Sequence, residues 1–279
     1  MWDNKKIILP MKKFFIPILV FLSFGSFNHV VAQNMSDMDQ RNPNLNNSGK
    51  YTGNKKGGKM HGQGIFEWEN GDRFEGNFVN GQIEGYGRYS WVEGNVYQGD
   101  FKDGLQDGFG TAFYANKYNV YEGEWKNGKR NGHGKLTWAN GDTYEGEWVD
   151  DVRCGEGVFT SIRGDKYVGH YENNQRNGFG TYYHENGDVY VGQWVNGEKE
   201  GLGKYTYANG NIYEGQFTNS YIEGHGTFIW TSGATYTGQF KEDMRNGIGT
   251  YTTTSGKVIV GIWKDNRYNG EIKNTLASR

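Results

Sequence analysis

From residue 51 onward the chain alternates large apolar and polar residues with a period of two, in short runs broken by glycine. In Tyr121-Glu122-Gly123-Glu124-Trp125 the alternation places Tyr121, Gly123 and Trp125 on one face and both glutamates on the other. Asn127-Gly128 follows as a turn. Gly132 and Gly134 open a second run, with Leu136 and Trp138 on the apolar side and Lys135 and Thr137 on the other. Asn140-Gly141 then turns the chain into the next copy, as do Asn70-Gly71, Asn186-Gly187 and Asn209-Gly210. Each copy is therefore predicted to be a β-hairpin.

The opening motif recurs at Tyr97, Tyr121, Tyr144, Tyr167, Tyr190, Tyr213 and Tyr236, with Phe74 as an early variant. Tyr51 begins a degraded copy in which Lys55 replaces the second aromatic, and Ile259 to Trp263 begin a truncated last one. The step is 23 residues except for one extra between Tyr97 and Tyr121, around Lys117–Asn119. Copies start at 51, 74, 97, 121, 144, 167, 190, 213 and 236, with a partial one at 259. A lone hairpin is marginal in water, so stability has to come from stacked neighbours. The expected fold is all-β, an elongated single-layer twisted antiparallel sheet of tandem 23-residue hairpins. Nine units of two strands, at ~4.8 Å per strand, would extend for roughly 90 Å. The first turn of each hairpin carries Gly81, Gly104, Gly128, Asp151, Asn174, Gly197 or Asp243, residue types that accept positive φ. Ser220 is the poor fit. The inward pairs of the second strands are Phe66/Trp68, Tyr89/Trp91, Leu136/Trp138, Tyr205/Tyr207 and Phe228/Trp230.

These motifs resemble the MORN (membrane occupation and recognition nexus) repeat, in the exported bacterial type. The resemblance covers residues 51 to about 272 through the Y-x-G-x-W/F opening, the turn glycine and the G-x-G at Gly132/Gly134 or Gly178/Gly180. Such arrays often accompany a catalytic domain, where they target or space it. The repeats here run almost to the last residue, so the resemblance implies a scaffold without a catalytic partner in this chain.

Composition sharpens this picture. Gly 45 and 16% aromatic residues are far above ordinary usage, which makes the rings and not branched aliphatics the apolar filling of a thin sheet. Residues 1–32 read as a secretory signal. Lys12-Lys13 precede the apolar run Phe14 to Phe24, and Val30 and Ala32 stand at −3 and −1 of a cleavage point. Residues 33–50 read as a polar linker, 51–272 as the array and 273–279 as a tail. The expected destination is periplasmic, cell-surface or extracellular. The first 32 residues carry +3 (Lys5, Lys6, Lys12 and Lys13 against Asp3), so a total of −2 leaves −5 for the rest. That balance argues against nucleic acid as a partner. Lys126, Lys129 and Arg130 read as solvated loop tips. Cys154, the one cysteine, can form no intramolecular disulfide.

Candidate chemistry is sparse. The histidines (29, 61, 133, 170, 184 and 225) form no H-x-x-x-H pair. The paired glutamates Glu122/Glu124 and Glu145/Glu147 read as outward strand positions in preference to a calcium or acid–base site. No catalytic, cofactor-binding or metal-binding residue is assigned, and no cofactor is expected. The leading reading is a non-enzymatic exported scaffold mediating protein–protein interaction or assembly, including self-association through the C-terminal repeats. A membrane-lipid-binding module and a cell-wall or glycan-binding repeat are the alternatives. Sugar stacking requires rings in solvent, whereas scaffold packing buries them.

Overall fold

The computed structural model describes residues 48–115 and 118–272. The signal, most of the linker and the 273–279 tail lie outside those residues. The described residues form one 20-stranded antiparallel sheet with no helix. Strands are numbered β1 to β20 in chain order, including β1 (Gly49–Lys56), β2 (Lys59–Trp68), β7 (Asn119–Lys126), β8 (Lys129–Thr137), β19 (Val258–Lys264) and β20 (Arg267–Gly270). Each strand pairs with the next in sequence from β1 to β20, so the sheet is an uninterrupted meander. The first strand begins at Gly49, two residues inside the segment expected to be linker.

The first turn of each hairpin has two consecutive residues with positive φ, as in Asn127 (49°) and Gly128 (81°). This mirror-image turn matches the twist of the flanking strands. Asp151, Asn174, Ser220 and Asp243 adopt φ of 71°, 67°, 69° and 64°. Ser220 thus takes the same conformation as its counterparts. Its hydroxyl accepts a hydrogen bond from the Lys199 N–H (3.1 Å), a unit earlier. Asp151, Asn174, Asp243 and Asn266 do the same for the N–H groups of Arg130, Arg153, Ile222 and Arg245. A glycine gains the conformation without strain; these residues gain a bond to the preceding repeat instead.

The two glycines of each G-x-G have different tasks. Gly132 has φ +75° at a register shift where Glu124 alone stands opposite Asn131, Gly132 and His133, a bulge in β8. The bulge leaves the Glu124 carbonyl to accept the Tyr121 hydroxyl at 3.1 Å, and the His133 N–H to reach Glu124 Oε1 at 3.0 Å. Glu124 therefore caps the bulge. Gly134 pairs with Gly123, and a Cβ on Gly134 would overlap the Tyr121 Oη, because the ring lies across this glycine pair. One glycine from every strand of β1 to β19 falls in a single row across the sheet, from Gly53 and Gly64 through Gly123 and Gly134 to Gly249 and Gly261.

The rings in this row form an edge-to-face chain. Tyr121 meets Trp125 of its own unit at 5.2 Å and Trp148 of the next at 5.4 Å. The same alternation runs from Tyr51 through Phe78, Phe74, Phe101 and Tyr97, and onward to Tyr236 and Trp263. The tyrosines at 97, 121, 144, 167, 190, 213 and 236 are all 0% exposed. This ladder is the core of the molecule. Each edge-to-face pair contributes roughly 0.5–1.5 kcal/mol beyond the area it buries.

The C-terminal end of the sheet is a partly covered edge. A short β20 covers Ile262 to Lys264, leaving only Val258 to Gly261 of β19 without an outer neighbour strand. At the other end, Lys55 projects over the Tyr51 ring, 6.0 Å from its centre, and Phe78 supplies the edge-to-face partner that this first unit lacks.

Two substitutions separate the ring cradle from the turn. Gly134→Ala is expected to cost about 3 kcal/mol, the upper end for forced overpacking. Gly128→Asn, at a turn position that Asn174 fills a few units on, should cost no more than about 0.5 kcal/mol. Urea midpoints of the two variants compare them directly, and equal shifts would refute the cradle.

Candidate functional site

A second ring ladder lies beside the buried one, at the ends of the second strands. In its N-terminal part Tyr89, Trp91 and Tyr114 are 4%, 7% and 5% exposed. From Trp138 onward the equivalent rings are only half-buried. Tyr182, His184, Tyr205, Tyr207, Phe228, Trp230 and Tyr251 follow one another at 4.5–5.8 Å in mostly tilted contacts. Periodicity marks all of these positions as inward, and that much was readable. The change from sealed to half-open along the array has no counterpart in the apolar pattern.

The signal that tracks this change is a different residue, nine positions after each unit's first aromatic. It is Met60, Ile83 and Gln106 in the first three units, then Arg130, Arg153, Arg176, Lys199, Ile222 and Arg245. The cations lie over ring faces. The Arg176 guanidinium is 4.3 Å from the Trp194 ring centre and 5.2 Å from Tyr182, and Arg245 is 4.6 Å from Trp263. Lys199 Nζ stands 4.8 Å from the Tyr205 ring. Such contacts stabilise a partly desolvated cation.

Arg130 departs from its expectation as a solvated loop tip. It is 3% exposed, its Nε is 2.8 Å from Asp151 Oδ1, and its Nη2 donates to the Asp151 carbonyl at 3.1 Å. The strand alternation turns it inward, and the carboxylate at the next unit's turn compensates its charge. Arg153, Arg176 and Arg245 reach the same place in their next units and find neutral acceptors. Their Nη2 groups donate to the carbonyls of Asn174 (2.8 Å), Gly197 (2.8 Å) and Asn266 (2.6 Å). Burial lowers the basicity of Arg153 and of Arg245.

Carboxylates along the other margin of the strip are already engaged. Asp188 accepts from the Tyr205 hydroxyl at 2.8 Å and the Ala208 N–H at 2.7 Å. Bonds to Ala208, Tyr205 and Asn186, together with the His184 charge, outweigh its burial and hold its pKa below the ordinary value. Asp142 and Asp165 accept from the N–H groups of Ile162 and Glu185. At the first-turn margin Asp243 accepts from the Ile222 N–H, and burial raises its pKa despite that bond and nearby Lys199. Lys199 is pushed the other way, its pKa lowered by burial.

The remaining sequence candidates are dispersed. His133 and His225 are exposed on the opposite face. His170 Nδ1 lies 3.2 Å from Glu156 Oε1, an exposed pair on that same face. Cys154 is partly exposed, and burial raises its thiol pKa. Among the described residues, no group of three or more His, Cys, Asp or Glu side chains is placed to hold a metal ion.

His184 gives the strip a pH dependence. Burial, then Lys199, lowers its pKa from the usual 6.5. The folded chain thus binds fewer protons there than the unfolded chain, and stability falls as pH drops below about 6.5. His184→Tyr, which restores the residue found at 207, should remove part of that loss. Thermal midpoints at pH 7.5 and 5.5 should fall further in the parent chain than in the variant.

The solved structures to which the chain is similar are distant. The TCP10 domain of Danio rerio CPAP, solved with a Danio rerio STIL peptide, is 14% identical over 81% of this chain and 100% of that one, with a TM-score of 0.46. The TCP domain of Drosophila melanogaster SAS-4, solved with a proline-rich motif of Ana2, is 10% identical over 69% and 90%, with a TM-score of 0.30. Virginiamycin B lyase of Staphylococcus aureus reaches 0.16 at 11% identity, over 78% and 76%. No curated protein sequence matches the chain. The family model for the MORN repeat matches nine consecutive segments, 51–73, 74–96, 97–117, 121–143, 144–166, 167–189, 190–212, 213–235 and 236–258, and the chain belongs to that family.

Proposed function

We propose that this chain is a non-enzymatic, exported scaffold that binds protein partners along the half-open ring-and-cation strip between Trp138 and Tyr251. The observation that carries this reading is the contrast between the two ladders. The tyrosine ladder is sealed and serves as packing, so its regularity has no need of a ligand. The second ladder is sealed in the second and third units and half-open from Trp138 onward, where its row turns cationic. Export rests on the basic and apolar pattern of Met11 to Ala32. A photo-crosslinking residue in place of Tyr207 should yield discrete protein adducts in the cell envelope. The same group at Thr227, on the opposite face, should not. Adducts only with lipid or glycan at position 207 would overturn the reading. Co-sedimentation with anionic vesicles across a salt series tests direct lipid binding, which the −5 balance opposes.

Self-association through the last repeats is supported by a separate observation. Val258 to Gly261 of β19 have no outer neighbour strand, and Val258 (57%), Val260 (50%) and Ile262 (38%) are exposed beside that edge. Unpaired apolar edges recruit further strands. Sedimentation equilibrium should show concentration-dependent dimers that Val260→Lys weakens; a monomer at all concentrations would exclude them.

A further inference from the structure

We infer that the strip selects an extended acidic polypeptide whose carboxylates recur at every third residue, an inference that rests on the protein-interaction reading above. Charge complementarity carries it. Among the described residues, none of Arg153, Arg176 and Arg245 has a carboxylate oxygen within 4.0 Å, whereas Arg130 in the same row is closed by Asp151. A partly buried cation without an anion is costly to keep. The fold does not require it: Ile222 occupies the same place in its own unit at 6% exposure. The indole N–H of Trp138 is also buried without an acceptor, and the Arg153 guanidinium lies 5.8 Å from that ring. Donors are thus in surplus on this face. Its acids Asp142, Asp165, Asp188 and Asp243 are oriented by main-chain N–H groups and, among the described residues, lie beyond 4.0 Å from these three guanidinium groups.

The spacing follows from the repeat. Successive cations are one unit apart, two strands, or ~9.6 Å at the usual strand separation. An extended polypeptide laid along the stack advances about 3.1–3.4 Å per residue. Every third residue therefore arrives at the next cation. Arg153, Arg176 and Lys199 ask for three carboxylates in succession. Ile222 makes the fourth place neutral and Arg245 makes the fifth acidic again. The rings between them take up the intervening apolar residues.

The test uses the purified full chain and labelled peptides roughly thirteen residues long. One peptide carries Glu at its first, fourth, seventh and thirteenth residues with Ala and Ser between; the other has the same composition with its four Glu contiguous. Fluorescence anisotropy should show the spaced peptide binding about tenfold tighter, the scale of one or two charge-assisted hydrogen bonds. Arg153→Gln and Arg245→Gln should each reduce its affinity about fivefold or more, with the β-sheet circular dichroism unchanged. Arg245 is the more exposed of the two, so its variant serves if Arg153→Gln disturbs folding. Equal affinity for the two peptides, no binding of either, or heparin competing as well as the spaced peptide would overturn the inference. Should protein adducts at position 207 persist in that case, the interaction reading stands and only the acidic register falls. Loss of those adducts removes both.

Discussion

Everything in this sheet depends on a tyrosine ring lying flat across two facing glycines. The contact needs bare backbone on both strands, which is why Gly123 and Gly134 are paired and why the pairing repeats along one row. A tyrosine there also finds a carbonyl for its hydroxyl, and the bulge at Gly132 supplies that of Glu124. Phe74 lacks the hydroxyl and shows that the cradle can hold a ring without it. Once seated, each ring presents its face or edge to an aromatic in the next unit. Indole donors reinforce the step: Trp148 Nε1 reaches back to the Gly134 carbonyl at 3.1 Å, and Trp125 to that of Gly110 at 3.2 Å. The hydrophobic layer is only one ring thick, so no unit is stable unless its neighbours supply the other half of each contact.

That dependence explains how the two lateral margins are built. At one margin the turn residues Asp151, Asn174, Ser220, Asp243 and Asn266 accept main-chain N–H groups from the preceding unit. Asp72, Asn95, Asn119, Asp142, Asp165, Asp188 and Asn211 do so from the following unit at the other margin. Neighbouring units are therefore joined by strand pairing, rings and side-chain bridges at both margins. A substitution in one unit is felt chiefly by the two beside it, as expected of a quasi-one-dimensional fold.

Fold class and register were legible because period-two alternation and a 23-residue step are both properties of residue order. The different tasks of Gly132 and Gly134 were not. Both are simply glycine in the sequence, and only the register shift separates a positive-φ bulge from a ring cradle. Arg130 misled for a related reason. It stands two residues beyond an Asn-Gly turn in a basic run, where solvation is the ordinary expectation. Its inward alternation and a carboxylate 21 residues later decide otherwise. The half-open strip was legible in position but not in exposure, since exposure depends on how neighbouring units cover each ring.

The distribution of charge in the row is more than a packing solution. Were cations there only to cover ring faces, a carboxylate at the next turn would be the natural companion throughout, as Asp151 is for Arg130. Asp243 does stand at such a turn, yet the unit before it carries Ile222 instead of a cation. Conversely, Arg153, Arg176 and Arg245 face Asn174, Gly197 and Asn266, which can orient a guanidinium but cannot neutralise it. Acid and cation are thus out of step along the later units, in a strip whose rings are also left half-open. A sheet selected for stability alone would have matched them, because a buried pair broken on one side is less stable than either a complete pair or an aliphatic side chain. The mismatch is intelligible if the missing negative charge comes from outside the chain.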